Sequence, residues 1–268
     1  MSHMNTKLVR LSCHWWAVGF QCVMVVLVAA SAAAQGRGSV DEAISEIKSG
    51  HVDPVVLQRL ARAHAVEAIN PLREQFARTQ DDLLKDAIAS TLVRLGVEDR
   101  SYWDYLEQNA RKAIESDAPF PSAFDVQGHA IRKQLSPEFL EWAKRNQLDV
   151  QQAVTIQMQR MPAQVSFLAA TRDPRATELL RRAMASRNYL VEAVAARGLA
   201  SLQDSDSVSL IVTACRRAPS EAAELVARSL VFFQTPQAQS AAESFIQNPE
   251  TLDQLRKLSK EKGSSVLF

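Results

Sequence analysis

Aromatic residues make up only 6% of this 268-residue chain, and it contains three cysteines and eight glycines. Each shortage removes a class of explanation. No glycine-rich Walker-type loop, dinucleotide fingerprint or G-x-S-x-G elbow occurs, so no phosphate cradle or serine-hydrolase nucleophile can be read from a motif. The formal charge is +1, without the basic excess that nucleic-acid binding demands. Long apolar runs are missing too, apart from one near the start. What the chain does have is alanine, which dominates its apolar residues and favours closely packed helices, hence an all-α protein.

The exception among the apolar runs is "WWAVGFQCVMVVLVAA", preceded by Lys7 and Arg10 and followed by "SAAAQG". A short positive segment, an uncharged apolar core and small residues in an A-x-A arrangement resemble a secretory signal peptide over residues 1–34, with cleavage after Ala34. The alternative is an uncleaved membrane anchor, since the run is about long enough to span a bilayer. Cleavage would place the protein in the periplasm or outside the cell, with residues 35–39 as a flexible leader. It would also remove Cys13 and Cys22, leaving Cys215 without an internal partner. The exported domain must then be held by packing rather than by disulfides.

Residues 173–203 repeat over 204–234 at a constant offset of 31. Asp173 falls on Asp204, Leu180 on Ile211, Ala183 on Ala214, Met184 on Cys215, Ala196 on Ala227, Arg197 on Arg228 and Leu199 on Leu230. A third copy lies upstream, where "DDLLKDAIASTLVRLG" (81–96) matches "NYLVEAVAARGLASLQ" (188–203). Within each copy apolar residues recur at spacings of three and four, the signature of a helix burying one stripe. Asp53-Pro54, Ser136-Pro137, Asp173-Pro174, Thr235-Pro236 and Asn248-Pro249 each place a side-chain acceptor before proline, a helix start. The same alignment puts Pro71 inside a helix, where a kink is expected.

The unit "DPRA…LL…A" followed by "V.AVAARGLASL.D" resembles the HEAT-like repeats first associated with phycobilisome lyases. The match is good over 173–234, fair over 65–99 and weak over 40–64, 137–172 and 235–262. The resemblance implies a right-handed α-solenoid of about six or seven helical hairpins whose concave side is lined by the second helices. It implies repeats at 40–99 and 137–262, an irregular aromatic-rich insertion at 100–136 and a frayed tail at 263–268. Lyase activity does not carry over, because no matching catalytic residue is identifiable and the repeat specifies fold rather than activity.

The insertion supplies the first candidate surface. Tyr102, Trp103, Tyr105, Phe120 and Phe124 gather where the repeat is interrupted, and such aromatics can form a recognition patch. Alternatively, they fill space where two halves of the array meet imperfectly. Arg197 and Arg228 supply the second: one repeat apart on the inner face, they suit a carboxylate or acidic peptide, or simply keep the surface solvated. His51, His64 and His129 show no metal-ligand spacing, and Cys215 falls at a core position. The resulting expectation is a non-catalytic scaffold that binds a protein or peptide in the cell envelope or outside the cell. It needs no cofactor, metal or nucleic acid, and touches a membrane only if the first segment is retained. The rival readings are a small-molecule binder or enzyme using a mid-chain pocket, and an anchored scaffold.

Overall fold

A computed structural model describes residues 40–268, so the expected signal peptide and the leader at 35–39 lie outside the described residues. The described chain is mostly helical, with little sheet. It opens with α1 (Val40–Lys48), α2 (Pro54–Ala63), α3 (Ile69–Arg78), α4 (Asp82–Arg94) and α5 (Arg100–Ile114). A two-stranded antiparallel hairpin follows, β1 (Ser122–Phe124) and β2 (Ala130–Leu135). Then come α6 (Pro137–Arg145), α7 (Val150–Thr155), α8 (Met161–Ala170), α9 (Thr177–Ala183), α10 (Tyr189–Ser201) and α11 (Val208–Arg217). The chain continues through α12 (Ser220–Ala227), α13 (Pro236–Phe245) and α14 (Pro249–Lys262), which a 3-10 turn (Gly263–Leu267) follows.

Local chemistry accounts for the boundaries. At all five acceptor-proline pairs the side chain before the proline accepts a backbone N–H of the first turn, and the proline takes a position where no donor is lost. Pro71 corrects an expectation. A 3-10 turn (Val66–Ala68) leads into α3, so the proline falls in the helix's first turn instead of its interior. The same 3-10 entry precedes α9 (Pro174–Ala176) and, 31 residues on, α11 (Ser205–Ser207). Helix ends also recur. His64, Gly96 and Gln203 take positive φ, and the next N–H in each case closes back on Leu60, Leu92 or Leu199.

The second helices pack in succession: α4 against α2 and α8, then α10 against α8 and α12. Their partners cover them, α3 on α4, α9 on α10 and α11 on α12. Leu92, Leu199 and Leu230, matched in the repeat, are all 0% exposed, and each such burial stabilises by about 1.5–3 kcal/mol. Gly198 permits the close approach of α10 to α8: a Cβ there would lie 2.8 Å from both Ala169 Cβ and Leu180 Cδ1. One aligned pair breaks rank, since Leu179 is buried while Leu210 is exposed.

The stretch at 100–136 is more ordered than expected. Its first part is the regular helix α5, which packs against α4 and α8 although residues 115–160 lie between α5 and α8. Its remainder holds the hairpin, which departs from a purely helical fold. The turn at Ile156–Arg160 is a π-turn, and it widens the helix just before Pro162, whose missing N–H the ordinary ladder could not use. The tail at 263–268 is not frayed. Leu267 and Phe268 are buried, and Arg172 donates to the carbonyls of Ser265 (2.6 Å) and Phe268 (3.3 Å).

Candidate functional site

The hairpin is fastened at both ends, and this creates a groove. At its base, the Phe120 N–H donates to the Arg187 carbonyl (3.1 Å) and the Ser136 N–H to the Pro121 carbonyl (2.8 Å). At its tip, Ser220 Oγ donates to the Gln127 carbonyl (2.8 Å), and the Glu221 N–H at the start of α12 donates to the Gly128 carbonyl (3.2 Å). Gly128 has φ +82°, and a Cβ would lie 2.3 Å from the Ser220 backbone nitrogen, so this contact requires glycine.

Between the hairpin, the start of α6 and the start of α10 lies a groove of about 540 Å3. Phe120, Phe124 and Tyr189 wall it, with ring centroids 5.5 to 5.9 Å apart. All three rings are half-buried, so they keep apolar surface available to a ligand. The rim is polar: Arg217 lines it, and Arg187 pairs with Glu138 at 2.6 Å. Asn188 fixes where Tyr189 begins its helix. Its Oδ1 caps the Leu190 N–H (2.9 Å), and its amide donates to the Gln157 carbonyl (2.8 Å) and side-chain oxygen (2.7 Å) in the π-turn.

Glu192 lies one turn beyond Tyr189, fully buried, with one oxygen held by Arg217 and the other without a partner. Burial pushes its carboxyl up to about 7, against the pull of the Arg217 guanidinium. Burial also raises the Tyr189 hydroxyl, with Glu192 adding to the effect. Glu192 does not line the groove. It holds Arg217, which does and which also donates to the Met184 carbonyl (3.1 Å). Cys215 is buried, and its thiol is pushed up to about 12, so it packs as a protonated group. The groove therefore offers an aromatic wall, one orienting cation and a polar rim, which suit binding.

The expected aromatic patch divides into two. Phe120 and Phe124 line the groove. Tyr102 and Trp103 are 7% and 3% exposed and are corrected to core residues. Tyr102 and the half-buried Tyr105 meet Phe76 edge-on at 5.0 and 5.5 Å, while Trp103 lies under the Arg175 guanidinium, 4.2 Å from its ring centre. Arg197 and Arg228 are not the open pair that was expected. Arg197 donates to the Leu267 carbonyl and lies over the Phe268 ring at 4.8 Å, and Arg228 pairs with Glu224 at 3.0 Å. His51 and His129 each sit 3.4 Å from an aspartate, and His64 caps α2.

Tyr189 and Arg217 escaped the sequence reading, whereas Glu192, equivalent to Lys85 in the repeat, reads as a surface charge in the sequence and is buried instead. Its burial does carry a signal, since Glu192 is the single acid in the largely apolar "YLVEAVAARGLAS". Among the described residues no helix is long and apolar enough to cross a membrane, and no group of three or more His, Cys, Asp or Glu could hold a metal ion. Comparisons with family models, curated proteins and solved structures find no match to this chain, so its likeness to HEAT-like repeats rests on the residues quoted above.

Proposed function

We propose that this chain is an exported, right-handed α-solenoid of HEAT-like hairpins that binds a peptide or protein segment without catalysing a reaction. The observation that carries the reading is the half-buried Phe120–Phe124–Tyr189 cluster, flanked by a hairpin tied to Arg187 at its base and to α12 at its tip. Rigid aromatic side chains give large contact area at low entropic cost, and a pre-formed wall keeps the ordering penalty down. The 31-residue repeat, the recurring 3-10 entries and the matched helix ends support the solenoid.

The test is site-specific photo-crosslinking in the native cell envelope. A crosslinker at position 124 should capture a defined neighbour that one at the exposed Leu210 does not, and Phe120→Ala with Phe124→Ala should abolish capture while preserving helicity. Equal capture from both positions removes the assignment. The groove's volume lies within the range that also suits small ligands. Under that second reading, native mass spectrometry of the purified chain shows a bound mass that the same double variant loses.

A further inference from the structure

A second cavity, of about 770 Å3, lies at the C-terminal ends of α2, α4 and α8 beneath the end of α14 and the turned-back segment 263–268. It shares no lining residue with the aromatic groove. Arg62, Arg94, Arg172, His64 and Lys262 line it, against the single acid Glu261. Elsewhere the chain gives most of its half-buried arginines an acid, Arg59 with Glu46, Arg181 with Asp204 and Arg228 with Glu224, while Arg197 donates to the Leu267 carbonyl. Here it does not. Arg94 is half-buried yet makes no hydrogen bond or ion pair among the described residues, and Arg172, which donates through one terminal nitrogen to the Ser265 and Phe268 carbonyls, keeps a buried Nε without an acceptor. Burial above all, with Arg172 and Arg62 adding to it, lowers the Arg94 guanidinium to about 10, as expected of a cation held out of water beside like charges. Helix C-termini favour a cation each, which explains where these residues sit. It does not explain why a guanidinium with several donors is left empty-handed in a roomy cavity.

We propose that this cavity binds a multiply charged oxyanion of the phosphate class, with Arg94 and Arg172 as its principal ligands and Arg62 and Lys262 at the rim. Guanidinium groups bind such oxygens in paired, planar hydrogen bonds, and several of them around one site match a dianion better than a single carboxylate. The free energy lost to mutual repulsion in the empty protein is returned when the anion enters.

Thermal unfolding of the purified chain at fixed ionic strength provides the test. Inorganic phosphate and pyrophosphate should raise the midpoint saturably while chloride does not. Arg94→Gln should weaken the apparent affinity at least tenfold and, without anion, should raise the midpoint, because repulsion is relieved. A merely structural arginine would lower it. Arg216→Gln, on the exposed surface, should respond as the wild type does. Phenyl phosphate separates the sources. Binding comparable to inorganic phosphate identifies a phosphate carried on an organic group, whereas failure to bind, with inorganic phosphate still effective, identifies the free ion. An equal response to chloride, or no response to any phosphate, overturns the proposal. So does an unchanged affinity in Arg94→Gln. If that variant does not fold, the exposed Arg62→Gln decides: a several-fold loss supports the site and an unchanged affinity overturns it.

Discussion

Two helix pairs in this molecule pack alike but are connected differently. α9 and α10 are joined by residues 184–188, whereas α5 and α8 touch just as directly across residues 115–160. Leu180 and Leu199 in the first pair are fully buried, and so are Leu106 and Leu168 in the second. The apolar stripes are thus indifferent to the chain between them. A connection that is not needed to join this pair can carry other work: this one packs Phe139 and Trp142 into the core and also contributes the hairpin, α6, the π-turn and two of the three groove aromatics.

The most severe way to break this comparison is to hollow out both pairs. Leu199→Ala and Leu168→Ala should each cost about 3–5 kcal/mol in denaturant unfolding, with equal slopes. If Leu168→Ala costs much less, the long connection has loosened the second pair. Gly198→Ala forces a Cβ against Ala169 and Leu180, and should cost roughly 1–3 kcal/mol through overpacking despite the gain in helix propensity. Gly128→Ala should act locally. Its strain and its clash with Ser220 should raise hydrogen exchange across residues 122–135 and weaken groove binding, with α9 and α10 unaffected.

Protonation sharpens the contrast further. Glu192 in the regular pair has its folded value raised from 4.5 to about 7, and Asp86 on α4, beside Asn109 of α5, is raised by burial from 3.8 to about 6. A raised folded value means that folding takes up protons, so each contribution is present below the unfolded value and is lost as pH rises through the folded one. The unfolding midpoint should therefore fall from about pH 4 to 7. Glu192→Gln should flatten the part between pH 6 and 7 and reduce the slope between 4.5 and 6, where Asp86→Asn should remove the remainder. The smallest effect belongs to Arg182→Gln. It removes an exposed pair with Glu115 and should change stability by no more than about 0.5 kcal/mol.

Helix starts and the core leucines were legible because each depends on residues within one or two turns, and the 31-residue period because one pattern recurs at a constant offset without a gap. Even the burial of Tyr102 was open to reading, since Tyr102, Leu106, Ala110 and Ala113 mark one face of α5. The hairpin was not. Its strands are short, and glycine at position 128 acquires meaning only from Ser220, far along the chain. The arginine cavity was hidden for the same reason, as its residues come from three helix ends and a distant tail.

The π-turn between α7 and α8 holds one amino acid more than a uniform spiral needs. Deleting a single residue from 156–160 would let that spiral close up with its ladder of hydrogen bonds intact. A wide turn and an ordinary one both complete a single revolution, so the helices on either side would keep their facing and only the bulged backbone would be drawn in. What would go is the wide turn that presents the Gln157 carbonyl and side-chain oxygen to the Asn188 amide, and with it the tie that holds the start of α10.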